Sequence, residues 1–421
     1  MKKNMMTAFL LKAYDPSLPN RDDSGDAKQV VVGGTVRARI SSGCLTRAIK
    51  EYMGDTVDTI RSSHLEDLVE AMLTKMAEDG TIPADKIDYY GNILCQPRKK
   101  DDKKSGKDAI LDCSWNERSS AGAADDKDGA KGRTITVTSP YELWNVINAV
   151  IAVPENSKQD AYKAAAEQAL RNVRLTADKA LFGTMATSGV LGTIDSAVYK
   201  GETYSIDEYR PEDDFITASH MTPGIKSEDP FFGTIEDFAS RERSIPRADA
   251  MTSGWLYSNT MYSKTGIDVT TLKRNLELNP TGGVIPMGED ERMSKMKELI
   301  SDYVEAFAMA VPSGSSKRMV TGAAPGILYL ESIKGGNTVY EDFSNVIRVK
   351  ENKSVMEQGI EQLLAFAKNT AWRRGEINRY VFLDPEKYSK YEKAFEEAGV
   401  KVIRNLDELA AAVMAETERL A

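Results

Sequence analysis

The sequence predicts an α+β fold, and three observations carry that expectation. Apolar runs of period two and apolar stripes of period 3.6 both occur along the chain, without a strict βα alternation. Its 421 residues, 41 % apolar and 28 % charged, are enough to bury a sizeable core as one elaborated domain or two ordinary ones. No repeat of solenoid period and no run of eighteen apolar residues is present. The opening residues, Met1–Leu11, are too short in apolar length for a signal peptide and lack a small-residue cleavage site, so a cytoplasmic protein is expected.

Taken in order, Thr7–Tyr14 reads as an opening strand closed by the turn-rich Asp15–Pro19. The loop Asn20–Gly25 follows. Val36–Ile40 alternates apolar and basic residues, which predicts a strand with one buried face and Arg37 and Arg39 on the other. Ser41 and Ser42 supply an N-cap before a helix over Cys44–Met53, whose apolar stripe is Leu45, Ala48, Ile49 and Tyr52. Ser63–Glu66 reads as a capping box that keeps His64 at the surface.

Residues 97–133 are poor in apolar residues and dense in both charges, so an exposed charged loop is expected within a helical insertion over 55–185. Tyr141–Val153 and the Ala-rich Ser157–Phe182 read as helices, the second stopped by Gly183. Residues 198–254 form a loop or hairpin excursion too long for a connector. Residues 255–421 continue with a strand over Trp255–Tyr262, a helix over Arg292–Ala310, a short strand over Ile327–Leu330 and a helix over Val355–Trp372. Strand, helix and strand close the reading at Tyr380–Asp384, Glu386–Gly399 and Val400–Ile403.

Chemistry is narrowed by what is scarce. Cys44, Cys95 and Cys113 form no CxxC pair, so neither a disulfide framework nor a zinc site is expected. His64 and His220 are the two histidines, which disfavours histidine-based acid–base chemistry. Neither a Walker loop nor a dinucleotide fingerprint occurs, and no cofactor is expected. Asp22 and Asp23 form a carboxylate pair; turn formation or an arginine partner outweighs a metal site there.

The net charge of −9 argues against a surface that binds nucleic acid everywhere. Yet Ala27–Lys50 contains no acid and carries Lys28, Arg37, Arg39, Arg47 and Lys50. A strand bearing arginines that leads into a helix start makes a phosphate-binding track; the plainer reading is a solvated basic face. Val311–Arg318, with Lys317 and Arg318, is a polar basic turn able to touch a phosphodiester.

These residues also carry a resemblance. Asn20-Arg21-Asp22-Asp23, Lys28, Gly33-Gly34, Arg37, Arg39-Ile40-Ser41-Ser42 and Arg47-Ala48 resemble the N-terminal signature of the CasC family, the CRISPR RNA-binding backbone subunit of type I-E Cascade within the RAMP superfamily. Ala180–Ser188 resembles the family's FGRMATS segment, with Thr184 in place of Arg, and Asp213–Ala218 its DFFTA stretch. Ser253–Tyr257 with Leu272–Leu276, and Val311–Gly314 with Lys317, resemble two further blocks in the family's order. Gly43 and Thr46 depart from the usual SSQ-x-LKRA pattern.

The resemblance implies a modified RRM-like (ferredoxin-like) palm with an inserted helical finger and a hairpin-like thumb over about 198–254. The basic segment, the basic turn and the resemblance together give an RNA site at Arg21, Lys28, Arg37, Arg39, Ser41, Ser42, Arg47, Lys50, Met185, Thr187, Ser188, Phe215, Lys317 and Arg318, and the resemblance implies Met185 as an apolar wedge against displaced bases. Its implied partners are the CRISPR guide RNA, copies of this chain, other Cascade subunits and, through guide pairing, target DNA. No catalysis is expected. The rival readings are a metal-dependent ribonuclease backbone using Asp22 or Asp23, a backbone subunit of another type I subtype, and a plain α+β domain that binds a protein.

Overall fold

The computed structural model describes residues 3–62, 64–95, 110–115, 136–186, 189–218, 250–312, 314 and 324–421. Strand β1 (Lys3–Ala13) opens the chain, and β2 (Gln29–Val32) and β3 (Thr35–Ile40) form a hairpin. Its turn residues Gly33 and Gly34 both have positive φ, 58° and 78°, which side chains disfavour. A Cβ on Gly33 would also overlap the Ser344 carbonyl. Helix α1 (Ser42–Met53) follows at once.

The chain then leaves for a helical lobe made of β4 (Ile60–Ser62), α2 (Leu65–Glu78), α3 (Ile87–Leu94), β5 (Thr136–Thr138), α4 (Pro140–Ile151) and α5 (Gln159–Leu170). It returns through α6 (Ala177–Phe182), β6 (Val198–Lys200) and β7 (Thr203–Ser205). Strands β8 (Glu212–Ala218) and β9 (Ala250–Leu256) pair only with each other in the described ladders. The rest comprises β10 (Thr260–Asp268), α7 (Val269–Asn275), α8 (Glu289–Met309), β11 (Pro325–Gly336), α9 (Val355–Lys368), β12 (Glu376–Leu383), α10 (Glu392–Glu397), β13 (Lys401–Ile403) and α11 (Leu406–Leu420).

One sheet organises all of this, in the order β13-β12-β11-β1-β10-β7-β3-β2, with β6 also paired to β10. The β12–β13 pair is parallel and the others are antiparallel. Because strand side chains alternate, β1 feeds two cores. Met6, Ala8 and Leu10 pack with α1, α7, α8 and α11 on one face, whereas Phe9 and Leu11 pack with α9 and α10 on the other. The helical lobe has its own core around Val69, Leu73, Leu94, Ile147 and Val150. Gly91 lets Trp115 lie against α3, since a Cβ there would meet the indole ring.

Several expectations are corrected. Cys95 and Cys113, eighteen residues apart, form a disulfide with Cα atoms 5.0 Å apart; the lobe brings them together without any CxxC spacing. Ile110, Leu111, Cys113 and Trp115 are buried, so the charged stretch 97–133 contains a core segment and is not one exposed loop; 96–109 and 116–135 lie outside the described residues. His64, not Ser63, holds the N-cap position of α2 and makes no side-chain cap; Ser63 and His220 lie outside the described residues.

The helix expected over Ser157–Phe182 is two helices: the first ends at Leu170, the second starts at Ala177, and between them Leu175 donates its N–H to the Leu278 carbonyl. In α1 Met53 completes the buried stripe, while Tyr52 is exposed and donates to Glu305. Val198–Lys200 and Thr203–Ser205 are strands of the main sheet, so the hairpin excursion begins at Glu212. The strand expected over Trp255–Tyr262 is broken between Leu256 and Thr260. Strand β11 runs to Gly336, well beyond Leu330, because Glu331 and Ser332 are buried with partners of their own, Arg373 and Glu416.

Candidate nucleic-acid interface

The start of α1 is fastened from several sides. Ser41, extended at φ −64° and ψ 148°, accepts a hydrogen bond from the Cys44 N–H and gives its own N–H to Asn20 Oδ1 at 2.9 Å. The Asn20 carbonyl accepts from the Lys28 N–H, and the Lys28 carbonyl from the Arg39 N–H, so loop 20–28 is sewn to the strand–helix joint. Asp22 is a turn former: its Oδ1 accepts from the N–H groups of Ser24 and Asp26 at 2.9 and 3.0 Å. Burial pushes the Cys44 thiol up, against the charges of Lys28 and Arg47.

The cations meet carboxylates of the same chain. Arg39 Nε donates to Glu202 at 2.8 Å, and Ser42, at the start of α1, neighbours the same carboxylate. Burial alone would raise that carboxyl; the Arg39 hydrogen bond, with Ser42 beside it, prevails and holds it below the usual range. Arg47 pairs with Glu51 one turn on, at 2.7 Å. Lys50 pairs at 3.0 Å with the fully buried Asp178, which also accepts from Thr59 and Thr176. The Lys50 ammonium lies 4.7 Å from the Phe182 ring centroid, and that of Lys200 lies 5.8 Å from it.

These groups border a cleft of about 790 Å³. Thr46, Arg47, Lys50 and Glu51 of α1 form one wall; Phe182–Met185 and Lys200 form another; Val57 and Val137 add apolar surface. Gly183 ends α6 at φ 68°, and a Cβ on it would press on the Ile194 carbonyl. The chain thus turns out sharply and presents Met185, which is 75 % exposed and therefore not a core residue. Cations above an apolar floor suit a polyanion that carries flat apolar bases.

Of the residues the sequence nominates, Arg47, Lys50 and Met185 line this cleft, while Arg21, Lys28, Arg39, Ser41 and Ser42 gather at the adjoining start of α1. Arg37 does not belong to the interface. It is 0 % exposed and donates to the carbonyls of Ser205 and Ser344, because the 339–349 segment covers the sheet face that alternation alone leaves open. Thr187, Ser188, Lys317 and Arg318 lie outside the described residues, as does the side chain of Phe215, whose backbone pairs with Ser253 in the β8–β9 ladder. Sequence reasoning missed Phe182 and Lys200. The signal for Phe182 lay in the Ala180–Ser188 block; Lys200 was hidden inside a stretch read as an excursion.

No curated protein matches the chain. Among solved structures, a chain of a CRISPR RNA-guided surveillance complex, pre-nicking, superposes with a TM-score of 0.67 at 15 % identity, covering 98 % of this chain and 100 % of that one. A chain of a second CRISPR RNA-guided surveillance complex gives 0.59 at 13 % identity, covering 98 % and 99 %. At such identities the likeness is one of fold. The model of the CT1975-like protein family matches residues 6–222 and 219–412, nearly the whole length, and the chain belongs to that CasC-type family.

Proposed function

We propose that this protein is a non-catalytic backbone subunit of a CRISPR RNA-guided surveillance complex, of type I-E, which holds guide-RNA phosphates along the α1 cleft and stacks in copies along the guide. The observation that carries this reading is the cleft itself. Residues from separate sequence blocks, Arg47 and Lys50 from one and Phe182 and Met185 from another, converge on one basic, apolar-floored groove. The sheet order β11-β1-β10-β7, with α1 and α8 on one face, supports a ferredoxin-like palm; the isolated β8–β9 ladder supports a thumb. The surveillance complexes of similar fold support guide RNA, other Cascade subunits and, through guide pairing, target DNA as partners. Among the described residues no helix is long and apolar enough to cross a membrane.

Replacing Arg39 and Arg47 together by Ala tests the phosphate track. Their partners Glu202 and Glu51 are solvent-accessible, so the change leaves no buried charge alone, unlike removal of Lys50. Binding to RNAs of unrelated sequence should weaken by a similar factor, and the slope of log affinity against log salt should flatten by about 1–2. A loss confined to particular base sequences would contradict the reading.

A further inference from the structure

The phosphate track is already occupied. Three cations of the cleft and its mouth, Arg39, Arg47 and Lys50, are each matched by a carboxylate of the same chain, and the three carboxylates differ in how firmly they are held. Asp178 is fully buried and carries Thr59 and Thr176 besides Lys50, so it is part of the frame. Glu51 sits on the helix of its own partner, four residues on, and moves with it. Glu202 is different. It comes from another segment, between β6 and β7, its side chain is 41 % exposed, and it reaches across to Arg39 at 2.8 Å, beside Ser42 at the start of α1. A guanidinium beside a backbone N–H and a hydroxyl is the donor set a phosphodiester oxygen takes.

We infer that Glu202 is a built-in competitor of the RNA backbone, a carboxylate that occupies the Arg39–Ser42 seat in the free chain and gives it up to a phosphate. The inference rests on the RNA-binding reading of the cleft. It gives the acid a role beyond packing: each subunit binds a stray RNA weakly, because every phosphate seated there must displace a bonded carboxylate. RNA that engages several seats at once, along the track or across adjacent copies, repays that displacement through high effective concentration. Selectivity for a long guide over short fragments follows from the exchange.

The test uses the full chain and a single-stranded RNA of about one guide length, with a short oligonucleotide beside it. Glu202→Gln keeps the size and an acceptor oxygen for Arg39 but removes the charge. It should tighten binding to the short RNA about two- to fivefold at low salt, the range of an exposed ion pair, and the gain should shrink at high salt. In an Arg39→Gln background the same change should gain nothing, since the charge it removes acts through Arg39. Glu202→Asp, which keeps the charge but shortens the reach to Arg39, should show a smaller gain. Thermal melting of each variant separates this role from simple capping of α1. A folded Glu202→Gln chain that binds RNA no more tightly than wild type, or an equal gain in the Arg39→Gln background, overturns the inference while leaving the RNA-binding reading intact. No salt-dependent RNA binding by the wild type overturns both.

Discussion

Lys179→Met should destabilise the protein by about 3–5 kcal/mol, the cost typical of breaking a buried ion pair from one side. Lys179 is 3 % exposed and its ammonium bonds Glu142, which is 1 % exposed. Glu142 also accepts from the Ser139 N–H and the Thr138 hydroxyl, each at 3.0 Å, but its Oε1 is buried without a hydrogen bond. Losing Lys179 therefore leaves a buried carboxylate with two neutral donors. The pair joins α6, beside the cleft, to α4 of the helical lobe, so the damage should appear first as loosening between them, seen as faster proteolysis of the lobe. Lys179→Met with Glu142→Gln should recover most of the loss, because a neutral Gln still serves the capping box with Ser139. A single-variant cost below about 1 kcal/mol in chemical denaturation would show the pair to be far less coupled than its burial implies.

Removing residues 219–249, which connect β8 to β9, should abolish ordered multi-copy assembly on long RNA. Seven residue pairs, from Glu212–Leu256 to Ala218–Ala250, form a ladder that joins no strand of the main sheet. The intervening residues 219–249 lie outside the described residues; their sequence includes Phe231, Phe232 and Phe238 together with both charge signs. A segment of that composition suits a heterologous contact with a neighbouring copy, a contact that repeats along a template without closing. Replacing 219–249 by a two-residue Asn-Gly turn between Ala218 and Ala250 keeps the register of the ladder. The shortened chain should still fold and bind a short RNA, but mass photometry on guide-length RNA should find isolated copies. An unchanged copy number would mean that subunits meet elsewhere.

The sequence made much of this legible where local rules and burial agree. Strand β1, the Ser41 cap, and α1 with Leu45, Ala48 and Ile49 inward follow from period and capping alone. The helices expected over Tyr141–Val153 and Val355–Trp372 are also present, over Pro140–Ile151 and Val355–Lys368. Reading failed where distant parts decide. Arg37 looks like a surface arginine until a segment three hundred residues on covers it. Glu331 and Ser332 made β11 look short because their partners, Arg373 and Glu416, come from elsewhere in the chain. The reading ended at Ile403 and missed α11, although Asn405 caps it.

The site divides in the same way. Arg47 and Met185 are visible as members of motif blocks, and Lys50 as part of the acid-free basic segment. That they share one cleft with Lys200, and that Arg39, Arg47 and Lys50 are matched by Glu202, Glu51 and Asp178, is a fact of tertiary structure.

Counting chains per RNA is the most direct test of a backbone role. Native mass spectrometry of the purified protein with single-stranded RNAs of rising length should show copy number increasing in even steps, each added copy requiring a fixed number of further nucleotides whatever their sequence. One copy per RNA at every length, or no complex at all, would contradict the account.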